Sequence, residues 1–451
     1  MDRRRFLVGS SALLGVPAMS GLAGASAQER APGSPAASEA STTAEAHAHE
    51  RPHDAAQQLS SETSRLVVPN GAILPHRVVN GVKVFHLVAE EFDHEIAPGL
   101  VIRAWGFNGR TPGPVIEAVE GDRVRIYVTN RLPEPTVTHW HGLFVPSGMD
   151  GVSGLTQPPI PPGRTFRYDL EMRRAGTFMY HSHYDEMTQI ALGAVGMFIV
   201  HPRRPTGPRI DRDFVLMLHE WSIHPGTRRP DALAMNDFNV LTFNGKAYPA
   251  TAPLVVRRGE RVRMRFGNLG PMDHHPIHLH GYAFEITATD GGPIAPSARW
   301  RETTVLVPVG STRDVELVAD EVGDWAMHCH MTHHIMNQMG HEVPTMIGAD
   351  TRTADAVIAR TVPGYMSMGQ TGMGSMSEME MPLPANAISM RSAPGPHGTI
   401  DMGGMFTVLK VREGLTSYED PGWYEPPAGT LARLATDDEL REDGIDSGAT
   451  E

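Results

Sequence analysis

Residues 124–129, 165–170, 197–200 and 304–309 are short runs of β-branched or alternating apolar and polar residues, each bounded by Gly, Pro or Asp. A helix would repeat its apolar positions every three to four residues; this period of two, with frequent turn formers, predicts the strands of a β-sandwich. The pattern also recurs along the chain. Phe107-Asn108-Gly109-Arg110 returns as Phe243-Asn244-Gly245-Lys246, and Gly121-Asp122-Arg123-Val124-Arg125 as Gly259-Glu260-Arg261-Val262-Arg263. The segment ending His181-Ser182-His183 returns as the one ending His328-Cys329-His330, at an offset of 147. Two homologous domains are therefore expected. The offset jumps to 208 between Gly196-Met197-Phe198-Ile199-Val200 and Gly404-Met405-Phe406-Thr407-Val408, so about 60 extra residues interrupt the second domain before its last strand.

The ends of the chain read differently. Arg3-Arg4-Arg5-Phe6-Leu7, an apolar stretch to Gly24 and Ala25-Ser26-Ala27 predict a twin-arginine-type export signal over residues 1–28, removed at an A-x-A site. Residues 29–63, rich in Ala, Ser, Glu and Pro, are expected to be a disordered linker in which His47, His49 and His53 are incidental. The expected partition is then domain 1 over 64–205, domain 2 over 206–420 with an insertion at about 340–402, and an acidic tail over 421–451. No run of 18 apolar residues predicts a membrane span once the signal is removed.

Charge and composition narrow the chemistry. A net charge of −13 argues against a nucleic-acid partner. One cysteine excludes a disulfide scaffold, while 23 histidines and 25 methionines are the borderline and soft ligands that copper prefers. Chance would place about one His-x-His pair in such a chain, judged by counting against a template. Five occur: His47/His49 in the linker, then His139/His141, His181/His183, His278/His280 and His328/His330, two pairs in each domain. Residues i and i+2 of a strand share a face, so each pair presents two imidazoles to one place.

The last pair encloses Cys329, which must face the other side of the strand. His275, Cys329 and His334, with Met339 as a weak axial thioether, form the His₂Cys set that suits a blue copper ion. One tripeptide can thus touch two metal sites.

Thr138-His139-Trp140-His141-Gly142, His181-Ser182-His183, His275-Pro276-Ile277-His278-Leu279-His280-Gly281 and His328-Cys329-His330 with His334 and Met339 resemble the four signatures of the multicopper oxidases. The resemblance spans about residues 64–412 and implies two tandem cupredoxin-like Greek-key sandwiches, an all-β fold. It implies four copper ions: type 1 on His275, Cys329, His334 and Met339; type 2 on His139 and His278; and a type 3 pair held by His141, His181 and His330 on one ion and His183, His280 and His328 on the other. Ser182 stands where Cys329 stands in domain 2, and by counting Met187 stands where His334 stands, so domain 1 has no blue site of its own.

Only 91 residues separate His183 from His275, too few for a spacer domain. The chain therefore resembles the two-domain laccases with a blue site in domain 2, which implies a homotrimer with each trinuclear cluster shared between neighbouring subunits. Asp150 matches the carboxylate that the family keeps near the type 2 copper, implying proton delivery. Val145 and Ile335 depart from a tyrosine and a carboxylate found in some members.

The expected activity is oxidation of a small reductant, Cu(I) or a phenol, coupled to reduction of O₂ to water, with a role in copper tolerance. A copper nitrite reductase and a copper-buffering protein are the rival readings; the first needs its blue cysteine in domain 1, and the second leaves eight histidines unexplained. The insertion carries nine methionines, among them Met366, Met368, Met373, Met376, Met379 and Met381, without a sustained helical or strand period. Thioethers suit Cu(I), so these six are expected to dock Cu(I) over the blue site and to hinder bulky phenols.

Overall fold

The computed structural model describes residues 66–224, 226–236, 238–290, 292–338, 352–361, 385–389 and 393–446. The export signal, the linker, Met339 and the six candidate Cu(I)-docking methionines lie outside the described residues.

In chain order the first half runs β1 (Leu66–Val67), β2 (Arg77–Val79), β3 (Val82–Ala97), β4 (Leu100–Phe107), β5 (Gly113–Val119), β6 (Arg123–Asn130), β7 (Thr138–His139), β8 (Thr165–Glu171), β9 (Gly176–Ser182), helix α1 (Glu186–Ala191) and β10 (Val195–His201). The second half runs β11 (Arg212–Trp221), β12 (Val240–Phe243), β13 (Leu254–Arg257), β14 (Arg261–Asn268), β15 (His275–Leu279), β16 (Phe284–Thr289), β17 (Gly292–Pro293), β18 (Trp300–Glu302), β19 (Thr304–Val307), β20 (Ser311–Val318), β21 (Gly323–Cys329), α2 (Arg352–Ile358), β22 (Pro394–Gly395), β23 (Gly398–Thr399), β24 (Phe406–Arg412) and α3 (Asp437–Glu442).

The sequence repeat is a repeat of topology. One sheet of domain 1 runs β5-β10-β9-β7 and its counterpart in domain 2 runs β13-β24-β21-β15-β19, with the first pair parallel and the next two antiparallel in both. The other sheets match likewise: β3 is parallel to β6 and antiparallel to β4, as β11 is to β14 and β12. Alternation makes each a two-layer sandwich. Phe85, Trp105, Ile126, Trp140, Phe178 and Phe198 fill the first core, and Phe214, Leu241, Phe266, Phe284, Val315 and Leu409 the second. These are the two cupredoxin-like sandwiches expected.

Two features exceed the sequence reading. β1 does not join domain 1; it pairs in parallel with β11 of domain 2. The insertion is also not wholly irregular, since it holds the seven-residue helix α2 and the hairpin β22–β23. Its described stretch 385–389 is pinned at both sides: Val101 N donates to Asn386 Oδ1 at 2.7 Å, and Ile388 N to Gln338 Oε1 at 2.7 Å.

The domains share a junction. Met179, Val195, Met197 and Ile199 pack against Val215, Met217 and Leu269. Beside them Arg265 pairs with Asp213 at 2.7 Å and Asp314 at 3.2 Å and donates to Thr177 Oγ1 of domain 1, so the buried charges are satisfied by one another. The tail folds back as well: Lys410 Nζ donates to Gly422 O, and Tyr424 N donates to Asp324.

Candidate metal centres

β21 brings the candidate donors together. Its residues alternate sides, so Cys329 points into the sandwich and His328 points out. On the inner side Cys329 Sγ lies 3.4 Å from His334 Nδ1 and 3.7 Å from His275 Nδ1, and all three side chains are buried. His275 comes from β15, where Ile277 pairs with Cys329; His334 comes from the 3₁₀ turn Thr332–Ile335 that follows the strand. Burial pushes the Cys329 thiol up to about 12, so a metal ion has to replace the proton if the sulfur is to be a thiolate. Both imidazoles meet carboxylates on their outer nitrogens: His275 Nε2 lies 3.4 Å from Glu220 Oε2, and His334 Nε2 lies 3.5 Å from Asp273 Oδ2. The contact with His334 holds the Asp273 carboxyl below its ordinary range.

On the outer side His328 joins His278, His280 and His330, with ring centroids 4.9 to 5.7 Å apart. His139, His141, His181 and His183 form the equivalent group in domain 1, at 5.3 to 6.1 Å. The backbone orients these rings. His139 Nδ1 donates to Asp150 O, His181 Nδ1 to Ser182 O, His278 Nδ1 to Thr303 O and His328 Nδ1 to Cys329 O, at 2.7 to 2.9 Å. A neutral ring that donates from Nδ1 offers only a lone pair at Nε2. His328 Nε2 nevertheless lies 3.1 Å from His280 Nε2, and His181 Nε2 lies 3.3 Å from His141 Nδ1. Nitrogen lone pairs converging in this way suit a shared cation. Loss of solvent favours the neutral ring at four of them: burial pulls His181 down to about 3 and lowers His141 and His328, and partial desolvation lowers His280.

The donor sets thus fit copper, with nitrogen at two outer clusters and nitrogen plus sulfur at one inner site. Among the described residues, ring contacts link histidines within each quartet and none links the two quartets. His280 and His330 are exposed.

Asp150 lies beside His139, because Gly151 (φ +79°) lets the chain pass so close to Thr138 that a Cβ would lie 1.9 Å from Thr138 O. Its carboxylate Oδ1 is 3.6 Å from His139 Nδ1. Four neighbours escaped the sequence reading. Glu186 lies 3.0 Å from His183 Nε2, and Glu220 and Asp273 support the inner site. The fourth, Gln189, corrects the counting that set Met187 opposite His334: α1 turns Met187 to solvent and brings Gln189 against Ser182. A lone acid in the apolar run Phe214-Val215-Leu216-Met217-Leu218-His219-Glu220-Trp221 was the available signal for Glu220.

Two family models, both described as multicopper oxidase, match residues 92–205 and 224–348. The chain belongs to the multicopper oxidase family. Copper is accordingly the metal these donor sets are built for. Copper resistance protein A of Escherichia coli is 30% identical over 237 residues, 42% of this chain and 39% of that protein. Laccase-2 of Botryotinia fuckeliana is 29% identical over 308 residues, covering 59% of this chain and 51% of the laccase. The chain thus matches about half the length, or less, of these curated relatives. A blue copper oxidase from Nitrosomonas europaea superposes with a TM-score of 0.55 at 27% identity, over 73% of this chain and 85% of that one. Among the described residues no helix is long and apolar enough to cross a membrane.

Proposed function

We propose that this chain is an exported oxidase that takes single electrons at Cys329 and uses them to reduce O₂ to water at a trinuclear cluster of the outer histidines. The observation that carries this reading is the two-sidedness of β21: Cys329 faces His275 and His334, and the adjoining His328 and His330 face His278 and His280. Four coppers, one type 1, one type 2 and a type 3 pair, would supply the one-electron uptake and the oxygen chemistry. The protein's part is geometric. The Cys329 peptide links the two sites through bonds, and backbone carbonyls hold the ring nitrogens ready. The Asp150 carboxylate, beside His139, would pass protons to the oxygen as it is reduced.

The ligand assignment expected from the resemblance is retained: His139 and His278 for type 2, His141, His181 and His330 for one type 3 ion, His183, His280 and His328 for the other, and Met339 as axial ligand. Short contacts between His141 and His181 and between His280 and His328 support it. Because the quartets are separate within one chain, each cluster is completed by a second copy, in a ring-closing homotrimer. Exposed Phe144 and Met187, close in sequence to His141 and His183, and Met331, next to His330, are apolar surface for that contact.

The reductant is Cu(I) or a phenol. Similarity to a protein named copper resistance protein A, together with the methionines 366 to 381, favours Cu(I) and a role in copper tolerance.

Metal analysis tests the core of this reading. Four coppers per chain and a blue absorption that Cys329→Ser abolishes are expected; two coppers per chain would overturn it. Steady-state O₂ uptake with Cu(I) and with a bulky phenol, side by side, decides the reductant.

A further inference from the structure

Glu220 is the most deeply buried carboxylate near the inner site, and nothing in the proposed electron path uses it. It lies on β11, whose ten residues are all buried, and its side chain has no exposed surface. Oε1 accepts backbone N–H groups of Met272 and, at 2.8 Å, Asp273. Oε2 lies 3.4 Å from His275 Nε2, and neither atom has another hydrogen-bond partner among the described residues. The loop is shaped around the group: a Cβ on Gly270 would come within 3.0 Å of Glu220 Cδ. The preceding residue, His219, holds the same loop from its other side, through Leu269 O at 3.0 Å. This loop also carries Asp273, which contacts His334.

We propose that Glu220 is the positioning residue of the blue copper site, orienting His275 and lowering the reduction potential of the metal held by His275, Cys329 and His334. The inference rests on the copper reading above. Two backbone donors on Oε1 and an imidazole nitrogen within 3.4 Å of Oε2 call for a group that only accepts, which is a carboxylate; a carboxamide would turn its own N–H₂ toward one of them. A carboxylate facing Nε2 holds the His275 proton there and leaves Nδ1 as the lone pair facing Cys329. Its negative charge, poorly screened by the dry interior, favours the oxidised, more positive state of the site. The site is thereby tuned to reductants that give up an electron readily, and away from demanding ones.

The test compares copper-loaded wild-type protein with Glu220→Gln and Glu220→Asp, by redox titration of the blue band and by the copper hyperfine splitting of the same samples. Glu220→Gln should keep the blue band and shift the Cu(II)/Cu(I) equilibrium toward Cu(I) by about tenfold, which is 59 mV for one electron. Glu220→Asp, which keeps the charge but retreats by one methylene, should give a smaller shift. A Gln variant with unchanged spectrum and a shift below about twofold would overturn the proposal and leave Glu220 a packing residue. If the Gln variant does not fold, ¹⁵N NMR of the wild-type protein decides. His275 protonated at Nε2 in a hydrogen bond supports the inference, and a proton on Nδ1 overturns it. The same spectrum is readable without copper, so a wild-type protein with no blue band would sink the oxidase reading while His275 still reports on Glu220.

Discussion

Ser182 Oγ donates to Gln189 Oε1 at 2.6 Å in domain 1, at the place where Cys329 Sγ faces His334 in domain 2. Thr136, the counterpart of His275 in the repeat, donates to the same oxygen at 2.8 Å, and Gln189 Nε2 donates to Pro135 O. A closed knot of uncharged hydrogen bonds fills the position that the inner donor set occupies in the other half, so among the described residues only domain 2 gathers a His₂Cys group.

Removing the knot should therefore cost stability and leave the blue site alone. Gln189→Leu removes the acceptor shared by two buried hydroxyls and the donor to Pro135 O, leaving the hydroxyls each other and Tyr184 O, a loss of about 1 to 3 kcal/mol. Denaturant unfolding of the copper-free variant should show it; a changed blue band would mean that the halves are coupled more tightly than this.

Gly151→Ala should act on the outer cluster. The added Cβ would overlap Thr138 O at a backbone angle that costs about 1 to 3 kcal/mol for most residues, and relief must come from Thr138 and His139. Electron paramagnetic resonance should show the non-blue type 2 signal weakened beside an intact blue signal. Equal loss of both would point to global unfolding instead.

Burial pulls His94, whose Nε2 bonds Gly245 O, from 6.5 down to about 4. A folded-state value below the unfolded one means that the unfolded chain binds the proton first. The stabilisation is complete above pH 6.5 and is lost as pH falls toward 4, by roughly 3 kcal/mol. His94→Gln keeps an N–H donor for Gly245 and cannot titrate, so its stability should fall less steeply across that window. Identical slopes would show that His94 is no contributor.

Shared clusters can be tested by complementation. His139→Ala and Cys329→Ser should each be inactive, and refolding them together with copper should restore some O₂ uptake, because mixed rings contain seams between an intact domain 1 and an intact domain 2. A fully active monomer in sedimentation would refute the shared cluster.

Replacing residues 366–381 with a short Gly/Ser linker should lower Cu(I) turnover and raise phenol turnover with the blue absorption unchanged. If neither activity moves, the methionines serve packing.

The duplication, the strand character and the ligand types were legible in the chain alone, because each is local. Period-two alternation sets which side a residue faces, and a His-x-His pair or a Cys between two histidines carries its geometry within one strand. Tertiary structure decided what lies far apart in sequence. Glu220 reaches His275 across 55 positions because β11 runs beside β14 and the loop after β14 folds over the carboxylate. Gln189 displaced Met187 because one turn of helix, and not a count along the chain, chooses which side chain meets Ser182. β1 pairs with β11 because edge hydrogen bonds are won by whichever strand is adjacent in space.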